Sequence, residues 1–206
     1  MWDLTEHVLK SSMSTTEAPL LADWIEGYRF AMACFPKLHV IVPEEKMEHA
    51  RSVFSVVPNT TIHPNGYPPM IQKGGTFVFM QWPMMWVDNI TSAPFIFTWD
   101  VDSVPVLPMR CHHFFDEADK PRWYFNRRQT LPGVKHGGLG SWTLKGADVF
   151  RKAQRKGLPL AAPLSVLSEG GHLDGATYYP MVVPRAVMPK VREAILLSTE
   201  EKYFDA

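Results

Sequence analysis

The sequence predicts an α/β fold, with a mostly parallel central sheet flanked by helices and a less regular second half. Three observations predict it. Short apolar, β-branched runs alternate with stretches of helical spacing through the first half of the chain. One run, Pro94 to Trp99, has the length and apolar character of a buried central strand and ends directly on Asp100. The second half is instead broken by prolines and glycines, so its elements are shorter and less periodic.

The elements follow in order. His7 to Met13 is a first short strand, with Ser11 to Glu17 as the polar loop at its carboxyl end. Ala22 to Cys34 has helical spacing, placing Trp24, Ile25, Tyr28, Ala31 and Met32 on one side, and Pro36 stops it. Leu38-His39-Val40-Ile41-Val42 is the clearest strand, being short, rich in β-branched residues and ended by Pro43. Glu44 to Val56 reads as a helix with acidic residues in its first turn, where the macrodipole favours them. Thr60 to His63 is a third strand before the turn-rich Pro64-Asn65-Gly66-Tyr67-Pro68-Pro69. Gly75 to Asn89 reads as a mostly buried helix kinked by Pro83. His112 to Phe115 and Arg122 to Phe125 resemble a hairpin across Asp116 to Lys120. Trp142 to Lys156 and Pro184 to Leu197 are the last two helices expected.

Composition bounds the function. Lysine plus arginine equal aspartate plus glutamate at 21 each, so no global field draws in nucleic acid or an anionic membrane. The basic set Lys145, Arg151, Lys152, Arg155 and Lys156 therefore reads as a solvated helix face. No stretch approaches the ~18 to 20 apolar residues that span a bilayer, and Met1 to Lys10 lacks the basic and apolar regions of a signal peptide. Cys34 and Cys111 are too few for a disulfide framework and read as reduced, buried side chains in a cytosol-like compartment, with a single bridge between them as the alternative. A cytoplasmic protein is expected, in the host cytoplasm for a viral chain. One domain is expected over the whole length, and Lys202 to Ala206 shows no terminal closure, which also suits one domain of a longer protein.

The chemistry concentrates at Asp100-Val101-Asp102. Two carboxylates at i and i+2, where a strand breaks, can be turned toward one hard divalent cation, Mn2+ or Mg2+. Such an ion completes its shell with phosphate oxygens and acts as a Lewis acid on a diphosphate leaving group. Asp102 is the better-placed ligand, and Asp100 reaches a ribose or a metal-bound water. An isolated Asp-x-Asp is commonly only a solvated strand cap; the apolar strand running into this one sets it apart. In open α/β sheets, ligands bind outside the carboxyl ends of the strands.

The succession Leu38 to Pro43, Gly66-Tyr67, a helix, and Phe95-Ile96-Phe97-Thr98-Trp99-Asp100-Val101-Asp102 resembles the GT-A glycosyltransferases. The resemblance covers roughly residues 5 to 110 well and the remainder, 111 to 206, in outline. In size, in lacking an anchor and in overall pattern, the chain is also similar to the small glycosyltransferase domains with which large algal viruses decorate capsid proteins. The resemblance implies a UDP-sugar donor, a glycan or glycoprotein acceptor, and a nucleotide-binding part followed by an acceptor-side part. It implies nucleoside contacts at Lys10, Ser11 and Ser12, against a bland reading as a frayed terminal strand. It also implies that a late histidine, His172, joins the metal shell with Asp100 and Asp102, with His136 as its rival.

Other residues carry lighter signals. Tyr67 can stack on a base or simply cover a turn. Lys73, before Gly74-Gly75, can face phosphate or solvent. Gln81 in an apolar helix needs a partner, which the donor sugar, the Asp pair or the backbone can supply. Asp174 and Glu169, in a glycine-flanked loop, are candidates for the base of an inverting transfer. His112-His113 beside Cys111 lacks a second ligand pair at zinc spacing and reads as strand. Trp82, Trp86 and Trp99 read as core. Two alternatives stand beside the transferase: a metal-dependent nucleotidyltransferase or phosphohydrolase using the same acidic pair, and a non-enzymatic carbohydrate-binding or capsid-interaction module.

Overall fold

The computed structural model describes residues 5–10, 13, 18–66, 82–101, 104, 106–122, 126–127, 149, 151–159, 173–174 and 181–199. The chain divides into two compact units, Met1–Arg122 with Tyr179–Met188, and Trp123–Tyr178 with Pro189–Ala206. Helix and strand are mixed, and the first unit is built on a largely parallel sheet.

In the first unit, β1 (Thr5–Lys10) is followed by α1 (Ala18–Tyr28), β2 (Leu38–Val42), α2 (Met47–Val53), β3 (Thr60–Pro64) and β4 (Phe95–Asp100). A late strand, numbered β7 (Met181–Pro184) because two short strands of the second unit precede it, completes the sheet in the order β3-β2-β1-β4-β7. The first four strands are parallel, and β7 runs antiparallel to β4. Every residue of β2 is buried, as expected for an inner strand of a sheet covered on both faces.

Two apolar layers enclose the sheet. On one face Leu9, Val40, Val42, Phe97, Trp99 and Val182 join Trp24, Tyr28, Phe35, Phe54 and Phe114 in the main core. Phe97 is its centre, stacked on Phe35 with centroids 3.7 Å apart and edge-on to Phe114 at 5.0 Å. Tyr28 donates its hydroxyl to the Phe35 carbonyl at 2.7 Å, and burial pushes its pKa well above the ordinary phenol value. On the other face Ile41 and Ile96 pack with Val87, Met188, Met84, Ile90 and Val183.

Several elements differ from the sequence expectation for local reasons. The helix after β2 is real, but its ends tighten into 3-10 turns at Glu44–Lys46 and Phe54–Val56. Trp82–Asn89 is a 3-10 helix, with Pro83 at its start, where a missing N–H costs little; residues 75–81 of that expected helix lie outside the described residues. Cys111–His113 is a 3-10 turn rather than strand, so His112 and His113 are exposed turn residues. The turn beyond it forms as expected: Phe115 bridges Pro121, and the Asp116 carboxylate accepts the N–H groups of Ala118 and Lys120. Those backbone donors, that of Lys120 first, hold its carboxyl below the usual range.

Cys34 and Cys111 are joined by a disulfide. The expectation of two reduced thiols is corrected, and with it goes the thiol argument for a cytosol-like compartment. Spacing along the chain could not reveal the bond, because 77 residues separate the partners and the fold alone brings their Cα atoms within 5.1 Å.

In the second unit, β5 (Asn126–Arg127) pairs antiparallel with β6 (Leu173–Asp174). Residues 149 and 151–155 are helical, and Gly157 ends that helix at φ +101°. There Leu158 N–H reaches back to the Ala153 carbonyl at 3.1 Å, a glycine C-cap that satisfies a terminal acceptor. Ala153 and Leu158 pack with Ala194 of the last helix, α3 (Met188–Thr199). Lys152, Arg155 and Lys156 are exposed, as a solvated face requires. Among the described residues, no helix is long and apolar enough to cross a membrane.

Candidate functional site

The sheet order places a discontinuity between β1 and β4. From β1 the chain builds outward through β2 and β3, then returns to add β4 on the opposite side of β1. The connections leaving the carboxyl ends of β1 and β4 therefore diverge, and such a switch point opens the crevice in which α/β sheets bind ligands. Lys10 and Asp100 are register partners there, each the last residue of its strand. Adjacent strands lie ~4.8 Å apart, so the two backbones at the mouth of the switch are close neighbours.

Both exits from the switch are pinned. Met13, three residues beyond β1, has φ 51°. A left-handed conformation costs a residue with a side chain on the order of 1 kcal/mol or more. Its side chain is buried in the main core, which offsets that cost and holds the turn. Val101, immediately after Asp100, is buried in the same cluster. Two apolar anchors thus fix where the chain leaves β1 and β4, and strain of this kind concentrates at ligand-binding turns. The sequence places Met13 at the end of the first strand, His7 to Met13, whereas the strand ends at Lys10 and Met13 lies in the turn beyond it, because a residue's φ is not legible from its type.

Of the residues expected at the site, Lys10 and Asp100 are brought together in register. Ser11, Ser12, Tyr67, Lys73, Gln81, Asp102, Glu169 and His172 lie outside the described residues, as does His136. Asp174 is on β6 of the second unit, paired with Asn126. Among the described residues, no group of three or more His, Cys, Asp or Glu side chains could hold a metal ion. Trp99 is core, as expected, and Trp86 is partly buried.

Two features at the β2–β3 side of the sheet were not expected. His39 and His63 meet across the parallel pair, with Nδ1 and Nε2 of the two rings 2.9 Å apart. Burial first, and then the neighbouring His39, push the pKa of His63 below its ordinary value. Beyond β3, Asn65 donates its backbone N–H to the Val42 carbonyl at 2.7 Å and buries its side chain. Both depend on the β2–β3 register, in which Ile41 faces His63 and Val42 faces Pro64.

No protein-family model matches the chain, and no curated protein shows significant similarity to it.

Proposed function

We propose that the chain is a divalent-metal-dependent glycosyltransferase with a GT-A-like nucleotide-binding half, moving a sugar from a UDP-sugar to a hydroxyl of a glycan or glycoprotein. The observation that carries the reading is the pairing of Lys10 with Asp100 at the β1–β4 switch, with Asp100 opening the triplet Asp100-Val101-Asp102. A strand-end carboxylate pair at the crevice of a parallel sheet suits Mn2+ or Mg2+ shared with a diphosphate. A lysine on the neighbouring strand end suits contact with the nucleoside of the same donor.

In this reading Asp102 ligates the metal and Asp100 reaches the ribose or a metal-bound water. The bound ion would supply Lewis-acid stabilisation of the departing diphosphate. Lys10 with Ser11 and Ser12 would hold the nucleoside, Tyr67 the base, and Lys73 and Gln81 the phosphates and sugar. His172 would join the metal shell, and Asp174 or Glu169 would take the proton of the acceptor hydroxyl in an inverting transfer.

Isothermal titration with UDP, with and without Mn2+, tests the reading on the whole chain. Manganese-dependent UDP binding that is lost in Asp102→Asn is expected. Manganese-independent binding, or affinity unchanged by the substitution, would refute the assignment of the metal site.

A further inference from the structure

The balance of charge over the whole chain hides a local excess. Neither aspartate nor glutamate occurs from residue 27 to 43 or from residue 103 to 115. These two segments are joined in space: Met109 donates its N–H to the Phe30 carbonyl at 2.9 Å, and Cys34 is bonded to Cys111. Arg29, Lys37 and Arg110 are their exposed cations. Arg29 also meets Glu26 at 3.1 Å, but both side chains of that pair are mostly in water, where such a bridge is weak. The next carboxylate along the chain, Asp116, is engaged by the N–H groups of its own turn.

The same segments expose large apolar side chains. Val106 is 76% exposed, Leu107 72% and Phe30 43%. Leu107 stands two residues from Met109, at most about 7 Å of chain, so the pair shares one neighbourhood with Phe30. Val101 is buried in the main core and Met109 packs against it, so the segment is anchored on either side of Val106 and Leu107. Two adjacent aliphatic side chains are thus held in water by an anchored backbone, and contact with an apolar phase would recover what that exposure costs.

We propose that this surface docks the protein on an anionic lipid membrane, with Val106, Leu107 and Phe30 entering the headgroup layer and Arg29, Lys37 and Arg110 meeting lipid phosphates. A projecting pair of side chains needs a pocket to bury itself in a folded partner, whereas a fluid bilayer closes round it without one. Cations around the apolar tip complement the negative surface potential of such a membrane. Long basic side chains can lay their stems along the apolar layer and keep their charges at phosphate level. The docking is peripheral and uses no spanning helix. The turn that carries Phe30 leads into the start of β2, so the surface sits toward the amino edge of the sheet. The Lys10–Asp100 switch is at the other end of the strands, and the inference stands independently of the transferase reading.

The test is co-sedimentation of the full chain with vesicles of phosphatidylcholine alone and of phosphatidylcholine mixed with phosphatidylserine, at low and high salt. The wild type binds the anionic vesicles, detaches as salt screens the cations, and binds the neutral vesicles far more weakly. Arg29→Gln/Arg110→Gln binds the anionic vesicles roughly thirtyfold more weakly, about fivefold for each cation removed. Val106→Ser/Leu107→Ser weakens binding by about tenfold or more at an unchanged Tm, because both side chains are exposed. Leu107→Trp, which enlarges the apolar tip, binds more tightly and keeps the test decisive if the serine variant melts lower. A wild type that does not pellet with anionic vesicles, or pellets equally with neutral ones, would overturn the proposal. So would Val106→Ser/Leu107→Ser bound as tightly as the wild type, or Leu107→Trp bound no more tightly. Self-association that the serine variant abolishes, without vesicle binding by the wild type, would give the surface to a second copy and overturn the membrane assignment.

Discussion

Breaking the Cys34–Cys111 disulfide should destabilise the protein far more than two small buried side chains would suggest. The bond ties the turns after α1 to the 3-10 turn beyond β4, and the 77-residue separation it closes contains β2, α2, β3 and β4. Cross-linking a loop of that length removes roughly 15 cal/mol/K of entropy from the unfolded chain, or about 4.5 kcal/mol at 25 °C. In a chain of 206 residues each kcal/mol moves Tm by roughly 2–4 °C, so a fall of roughly 9–18 °C is expected. Both cysteines are buried in the main core, so alanine is the better replacement; serine would bury a hydroxyl as well. The comparison is calorimetric: oxidised wild type, wild type with a phosphine reductant, and the Cys34→Ala/Cys111→Ala double variant. Urea titration of the same samples adds a check, because freeing the unfolded chain exposes more surface and should raise the m-value. Two free thiols titrated in the denatured, unreduced protein, together with a Tm that reductant does not move, would refute the reasoning.

The remaining predictions concern the core, the histidine pair and the ligand. Phe97→Ala removes a fully buried ring from contact with Phe35 and Phe114 and should cost about 3–5 kcal/mol in urea unfolding; a loss below about 1 kcal/mol would contradict its central placement. The pKa of His63 is lower in the folded state than in the unfolded chain, so the unfolded state binds more protons between the two values. Stability is therefore fully present above the ordinary value of 6.5 and falls as pH drops below it toward the folded pKa; His63→Gln should flatten that slope in denaturation curves across the range. UDP and Mn2+ together should raise Tm by more than the sum of their separate shifts, because metal and diphosphate share coordination. At a hundredfold excess over Kd the stabilisation is about 2.7 kcal/mol, and strictly additive shifts would count against a shared site.

Local chemistry made much of the first unit legible. β2 was readable to the residue because Leu38 to Val42 is short, apolar and closed by Pro43. β4 was readable because an apolar run ends abruptly on a carboxylate. The carboxyl end of the helix before Gly157 was readable within a residue, Lys156 expected against Arg155 observed, while residues 142–148 of that expected helix lie outside the described residues. The same local logic failed where a proline or histidine admits more than one backbone form, as at Trp82–Asn89 and Cys111–His113.

What tertiary structure decided is what depends on distant partners. The order β3-β2-β1-β4-β7, and with it the switch that pairs Lys10 with Asp100, follows from which strand edges pair, and composition does not state that choice. The disulfide has no local signal, because it joins segments 77 residues apart, and the short run Met181 to Pro184 becomes a strand only by pairing with β4. The His39–His63 contact and the burial of Asn65 need the β2–β3 register, where a slip of one residue would turn every side chain to the other face. The sequence alone therefore determined most element types of the first unit and the acidic triplet, whose causes are short-range. Packing alone determined where those elements converge, because hydrophobic burial rewards contact without regard to separation along the chain.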